Sequence, residues 1–149
     1  MSLWIDRTKR LWALPRRDRS ELIRMFLRII IFRLLLVSFG FTTTRRLAEK
    51  EHEPSGQIPD ASEVQRLAHF ARSIARSNLV ESPCLAASLA LSWTLGRRGI
   101  CTTLHLGVQR RNGRLNAHAW LESQGQLLLD TSDGDTFATL VAFEQQKTR

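Results

Sequence analysis

The chain has 149 residues, enough for one compact domain with an appendage and a core of its own. Its 22 Lys and Arg against 14 Asp and Glu give a formal charge of +8, which speaks to partners rather than to fold and admits nucleic acid, an anionic membrane or an acidic peptide. With 2 cysteines and no apolar stretch followed by a cleavage site after Met1, the sequence excludes a disulfide framework and reads as a cytoplasmic protein with no disulfide.

Taken in chain order, residues 3 to 19 are short, basic and aromatic, with Trp4 and Trp12 eight apart and Pro15 breaking any helix between them and the next element. Ser20 to Phe39 reads as one strongly apolar helix capped by Ser20, with Arg24 and Arg28 on one face and Arg33 nearly opposite. Three arginines inside it argue against a membrane span, since each costs about 2.5 to 3.5 kcal/mol at the bilayer centre. Its wide apolar surface then needs cover, by the rest of the domain, a partner, or the surface of a membrane. From Phe41 the composition turns polar, and Glu51 to Pro59 reads as a linker. The expected organisation is therefore a basic, apolar N-terminal helical arm over 1–50, a linker over 51–59 and a body over 60–149. No Gly-rich phosphate loop, repeat or groove-reading nucleic-acid module is present, so neither a nucleotide nor nucleic acid is expected as ligand.

Asp60 and Glu63 have capping-box spacing and open a second helix, whose apolar face is Val64, Leu67, Ala68, Ala71, Ile74 and Ala75, with His69 on the solvated side. Ser82-Pro83-Cys84 opens a third, with Ser82 as cap, Pro83 in the first helical position and Gly99 as the stop after Arg97 and Arg98. Cys84 thus sits in a first turn, where unpaired N–H groups and the positive end of the helix dipole favour thiolate over thiol. A buried, inert cysteine is the competing reading.

Residues 101 to 132 read as a three-stranded meander. Asn112-Gly113 between alternating runs is a strong hairpin signal; a two-residue turn pairs Arg111 with Arg114, His118 with Gly107 and His105 with Trp120. Gly107 leaves space beside the His118 imidazole, and Trp120 is expected as a packing wall there. A three-residue second turn, Ser123 to Gly125 with Gly125 left-handed in a bulge, sets His118 directly across from Asp130; a two-residue turn would place them on opposite faces. Asp133 and Asp135 are rivals for Asp130 but lie beyond the expected strand. Cysteine, histidine and aspartate in this order on successive elements are the equipment of thiol-based acyl chemistry: nucleophile, general base and the group that orients the base. Asn78, six residues before Cys84, is a weak candidate for an oxyanion donor, and the Cys84 N–H a stronger one. Cys84, Cys101, His105 and His118 lack the tight spacing of structural zinc ligands, so no metal and no other cofactor is expected. A short apolar run, Phe137 to Phe143, and a charged tail close the chain.

Cys84-Leu85 with Ser88 to Leu91, Arg97 to Ile100, Leu106-Gly107-Val108, Ala117 to Glu122 and Asp130 after an apolar strand together resemble the transglutaminase-like B proteins of lasso-peptide biosynthesis. The likeness is detailed over about residues 60 to 135, and the N-terminal helix is similar too; Cys101 departs from the family, which more often has a small residue or proline there. The resemblance implies an α+β fold of papain or transglutaminase-like type, a nucleophile helix packed on a small antiparallel sheet, with the N-terminal helical arm added. It implies a cysteine endopeptidase with Cys84, His118 and Asp130 as catalytic residues, removing the leader of a ribosomally made lasso precursor. A separate leader-binding protein and an ATP-dependent lasso cyclase would be its partners. Two alternatives stay open: acyl transfer to an amine on the same fold, and a non-enzymatic basic protein that binds membrane or nucleic acid.

Overall fold

A computed structural model describes residues 15–50, 59–77, 83–111, 114–130 and 138–144. In chain order they form three helices, α1 (Arg16–Glu49), α2 (Ala61–Ala75) and α3 (Pro83–Gly96), followed by four strands, β1 (Thr103–Arg111), β2 (Arg114–Ser123), β3 (Gln126–Leu129) and β4 (Ala138–Glu144). The strands make one antiparallel sheet in the order β3-β2-β1-β4.

α3 is the centre of the molecule because its sequence is apolar or small all round. Ala86, Ala87, Leu89, Ala90, Leu91 and Leu95 are each at most 1 % exposed, which a helix achieves only when packed on every side. It touches α1 and α2 as well as β1 and β2. Its few polar groups are mostly satisfied: Thr94 Oγ1 donates to the Ala90 carbonyl, and Ser92 and Thr102 share a hydrogen bond of 2.9 Å. At its C-terminus Gly99 takes φ 79°, the Gly99 N–H donates to the Gly96 carbonyl and the Ile100 N–H to that of Leu95. That is the two-bond pattern of a Schellman stop, with Ile100 packing back on the core. The expected cap, Ser82, lies outside the described residues.

α2 begins as its sequence predicts, with the Asp60 side chain accepting from the Glu63 N–H at 2.8 Å. Only half of the capping box forms, because the Glu63 carboxylate turns instead to Arg98 at 2.7 Å. The expected face is buried, together with Phe70, and His69 is exposed.

α1 departs from the sequence reading at both ends. It starts at Arg16, where the Pro15 carbonyl accepts from Arg19, and Ser20 is not a cap but a helical residue whose hydroxyl donates to the Arg17 carbonyl. Gly40, at φ 75° and ψ 176°, adopts backbone angles open essentially to glycine alone and breaks the helix, which then resumes to Glu49. The polar composition after Phe41 concealed this second run; Thr44 and Ala48 are buried, and Arg45 pairs with Glu49. Met25, Ile29 and Phe32 go into the common core, so α1 packs on the body along one face. Ion pairs fasten it there: Asp18 with Arg66 at 3.1 Å and Glu21 with Arg98 at 3.4 Å. The linker read over 51–59 lies outside the described residues except for Pro59.

The sheet has one strand more than the meander expected. The apolar run near the C-terminus becomes β4 and pairs with β1, where Phe143 meets Phe41 with ring centroids 5.6 Å apart and Arg45 stacks over its ring at 4.2 Å. The first hairpin has the predicted register, Arg111 with Arg114, Gly107 with His118 and His105 with Trp120. The second does not: Ser123 pairs with Gln126, so the loop has two residues, Gln124 and Gly125, at φ 51° and 74°. Two consecutive residues of positive φ make the turn that suits the right-handed twist of a two-residue hairpin.

Candidate active site

The two-residue loop should have carried Asp130 to the wrong face. It does not, because the pairing slips again: Glu122 faces Leu127 but Leu121 faces Leu129, so Leu128 is an extra, bulged residue. The Leu128 carbonyl, turned out of the ladder, accepts from Arg72 of α2 at 2.8 Å. One residue lost in the loop and one gained in the bulge restore the alternation of faces. In the resulting register Asp130 falls opposite Trp120, diagonal to His118 rather than directly across from it. The diagonal is still within reach, since the Asp130 Oδ1 lies 2.7 Å from the His118 Nε2.

Cys84 meets the same imidazole from the other layer. The N-terminus of α3 lies against β2, and the Cys84 thiol is close enough to His118 and to the backbone N–H groups of Ala119 and Leu85 to be influenced by them. The structure thus brings Cys84 beside His118, which is itself hydrogen-bonded to Asp130. Burial, the largest single influence on Cys84, pushes its pKa up. The bonds from His118 and the two N–H groups, with the charge of the imidazolium, outweigh it and bring the pKa below that of an ordinary thiol. For His118, burial pulls down most strongly, but hydrogen bonds and charge from Cys84 and Asp130 reverse it and raise its pKa above the usual histidine value. A thiol shifted down beside an imidazole shifted up favours the thiolate–imidazolium pair, the nucleophilic form of a cysteine.

Trp120 fills the space that Gly107 leaves. A methyl group on Gly107 would stand 2.8 Å from Cζ3 of the indole, so the vacancy is for this ring and not for the imidazole itself. The indole lies between two histidines, nearly parallel to His105 (5.3 Å between centroids, 6°) and to His118 (6.1 Å, 16°). Its Nε1 donates to Glu122 Oε1 at 3.2 Å, and the other Glu122 oxygen lies 3.3 Å from His105 Nε2. Sequence reasoning anticipated Trp120 as a wall and His105 on this face, but missed Glu122, the Ala119 N–H and Arg72. For Glu122 a signal was present, because residues two apart on a strand share a face; for Arg72 none was.

Asn78, Asp133 and Asp135 lie outside the described residues. Cys101 is exposed and takes no part in the cluster. Among the described residues no group of three or more His, Cys, Asp or Glu is arranged to hold a metal ion, and no helix is long and apolar enough to cross a membrane.

A central helix with a cysteine at its start, packed on an antiparallel sheet that presents a histidine and an aspartate, is an architecture for acyl chemistry on sulfur. The family model of the transglutaminase-like superfamily matches residues 26–142, and the chain belongs to that superfamily. Its members are typically cysteine proteases or acyltransferases. No curated protein and no solved structure matches the chain.

Proposed function

We propose that this chain is a cysteine endopeptidase that removes the leader from a ribosomally made lasso-peptide precursor. The observation that carries the reading is the Cys84–His118–Asp130 chain within a transglutaminase-like fold, where the 2.7 Å contact of His118 with Asp130 and the lowered thiol pKa suit a base and a nucleophile. Five motifs shared in order with the lasso-type B proteins supply the substrate class.

With Nε2 engaged by Asp130, Nδ1 is the nitrogen that exchanges a proton with sulfur. The Cys84 thiolate attacks the scissile carbonyl, and a backbone N–H at the start of α3 stabilises the oxyanion. His118 gives its proton to the departing amine, which leaves a thioester on Cys84. Water then attacks the thioester with its proton passing to His118, and the acid is released as the thiol reforms. Asp130 holds the ring in orientation throughout and stabilises its charged form. A leader-binding protein and an ATP-dependent cyclase, on separate chains, would complete the pathway.

The test is incubation of the full chain with a short precursor peptide encoded beside it, with and without the leader-binding protein, read by intact mass. Two fragments whose masses sum to the precursor plus one water are expected, and none from Cys84→Ala, whereas Cys101→Ala should cleave normally. A product joined to an added amine would make the enzyme an acyltransferase instead. Cleavage that survives Cys84→Ala would reject the assignment.

A further inference from the structure

Up to Gly40, α1 carries a face that its packing does not use. Met25, Ile29 and Phe32 turn into the core, and on the outer side Ile23, Leu27, Ile31, Leu34 and Val37 are 50 %, 53 %, 53 %, 61 % and 73 % exposed. Their spacing of three and four residues lines them up in one ridge. At 1.5 Å per residue the ridge from Ile23 to Val37 is about 21 Å long, a continuous apolar surface of the kind that marks an interaction site.

Its charge says what the ridge meets. Of the two carboxylates of this part of the helix, Asp18 turns inward to Arg66 and Glu21 is shared between Arg98 at 3.4 Å and Arg24 at 3.1 Å, two guanidiniums on one carboxylate, so the outer side keeps an excess of positive charge. Arg16 lies on the line of the ridge before Ile23, and Arg24, 62 % exposed, stands on its border. The residues ahead of α1 add Trp4 and Trp12 among Arg7, Lys9 and Arg10, and indole rings favour the headgroup level of a bilayer. A second copy packed ridge to ridge would bring Arg16 and Arg24 to a surface that offers no further carboxylate beyond the Glu21 that Arg24 and Arg98 already share. Anionic phosphates provide the missing acceptors, and apolar residues bordered by arginine are the pattern of a helix lying in the plane of an interface.

We propose that α1 docks the chain on the surface of an anionic bilayer, with Ile23, Leu27, Ile31, Leu34 and Val37 sunk at the boundary between headgroups and acyl chains. The ridge is on the side of α1 turned away from the core, so docking leaves the body of the chain on the aqueous side. The inference is independent of what the site cleaves.

The test is flotation of the full chain with vesicles of phosphatidylcholine alone and of two parts phosphatidylcholine to one part phosphatidylglycerol. At least about tenfold more protein should float with the anionic vesicles, and raising salt from about 0.1 M to about 0.5 M should reduce that fraction severalfold. The variant Ile23→Gln/Leu27→Gln/Leu34→Gln should lose at least about tenfold in binding while keeping its helical circular dichroism, because all three side chains are exposed. Should that variant misfold, Arg16→Glu/Arg24→Glu tests the charge instead and should abolish the preference for anionic vesicles. Equal flotation with both vesicle types, or a folded ridge variant that floats like the wild type, would overturn the proposal. So would a wild-type dimer without vesicle binding that the ridge variant converts to a monomer.

Discussion

Gly107→Ala is the substitution through which sheet packing and site geometry are most tightly linked. The new methyl carbon would lie 2.8 and 2.9 Å from Cζ3 and Cη2 of Trp120 and 2.9 Å from the Ala138 carbonyl oxygen. Carbon atoms in contact prefer about 3.5 to 4.0 Å, so more than half an ångström must be found. Neither neighbour yields easily. The carbonyl belongs to β4 where its pairing with β1 is irregular, at Leu106/Gly107, and the indole is held between His105 and His118. Overpacking of this kind costs about 1 to 3 kcal/mol. For a chain of this size, 2 kcal/mol corresponds to a Tm lower by about 4 to 8 °C. If the indole moves, it pushes the His118 ring, so the titration of the Cys84 thiolate, followed by ultraviolet absorbance, should shift toward that of an ordinary thiol. Trp120→Leu removes the ring atoms that clash, and the double variant should therefore be less destabilised than the sum of the two singles by at least about 1 kcal/mol. A Gly107→Ala protein with wild-type Tm and thiolate titration, and an additive double variant, would refute this packing argument.

Asp130→Asn removes a hydrogen bond and a charge that raise the His118 pKa, so the imidazolium should lose its proton at lower pH. Because the reactive form is the ion pair, the acid limb of a pH–rate profile follows the thiol and the alkaline limb the imidazolium; the alkaline limb should move down in pH and kcat/KM should fall by about a hundredfold or more. An unmoved alkaline limb would deny Asp130 its role. Met25→Ala, at a position with no exposure, should cost about 2 to 5 kcal/mol in urea unfolding, the loss expected if α1 belongs to the core. A change below about 1 kcal/mol would make α1 a loosely attached arm.

Local signals carried the sequence reading as far as local signals decide. The Asn112-Gly113 hairpin has the register its dipeptide predicts, and the Asp60 cap and the Gly99 stop sit where they were read. The second hairpin was misread because Gln124 accepts a left-handed φ of 51°, which a residue other than glycine seldom does and no neighbour announces. The compensating bulge at Leu128 is bonded to Arg72, more than fifty residues earlier, a contact made only after α2 has docked on the sheet. His118 and Asp130 therefore meet, but through two departures from the expected register that add to a shift of two residues and so keep both side chains on one face. β4 went unread as a strand for a similar reason: its residues are mostly exposed, and pairing with β1 rather than burial holds it.

The central claim, that Cys84 is an activated nucleophile, is tested most directly by competition between the two cysteines of one molecule. Cys101 is exposed and Cys84 only partly so, so accessibility alone would make Cys101 react first. The full chain would be treated with limiting iodoacetamide from mildly acidic to neutral pH and each peptide quantified by mass spectrometry. Cys84 should be alkylated first despite its burial, and His118→Ala should reverse the order. Faster labelling of Cys101 in the wild type, or an order unchanged by His118→Ala, would contradict the account.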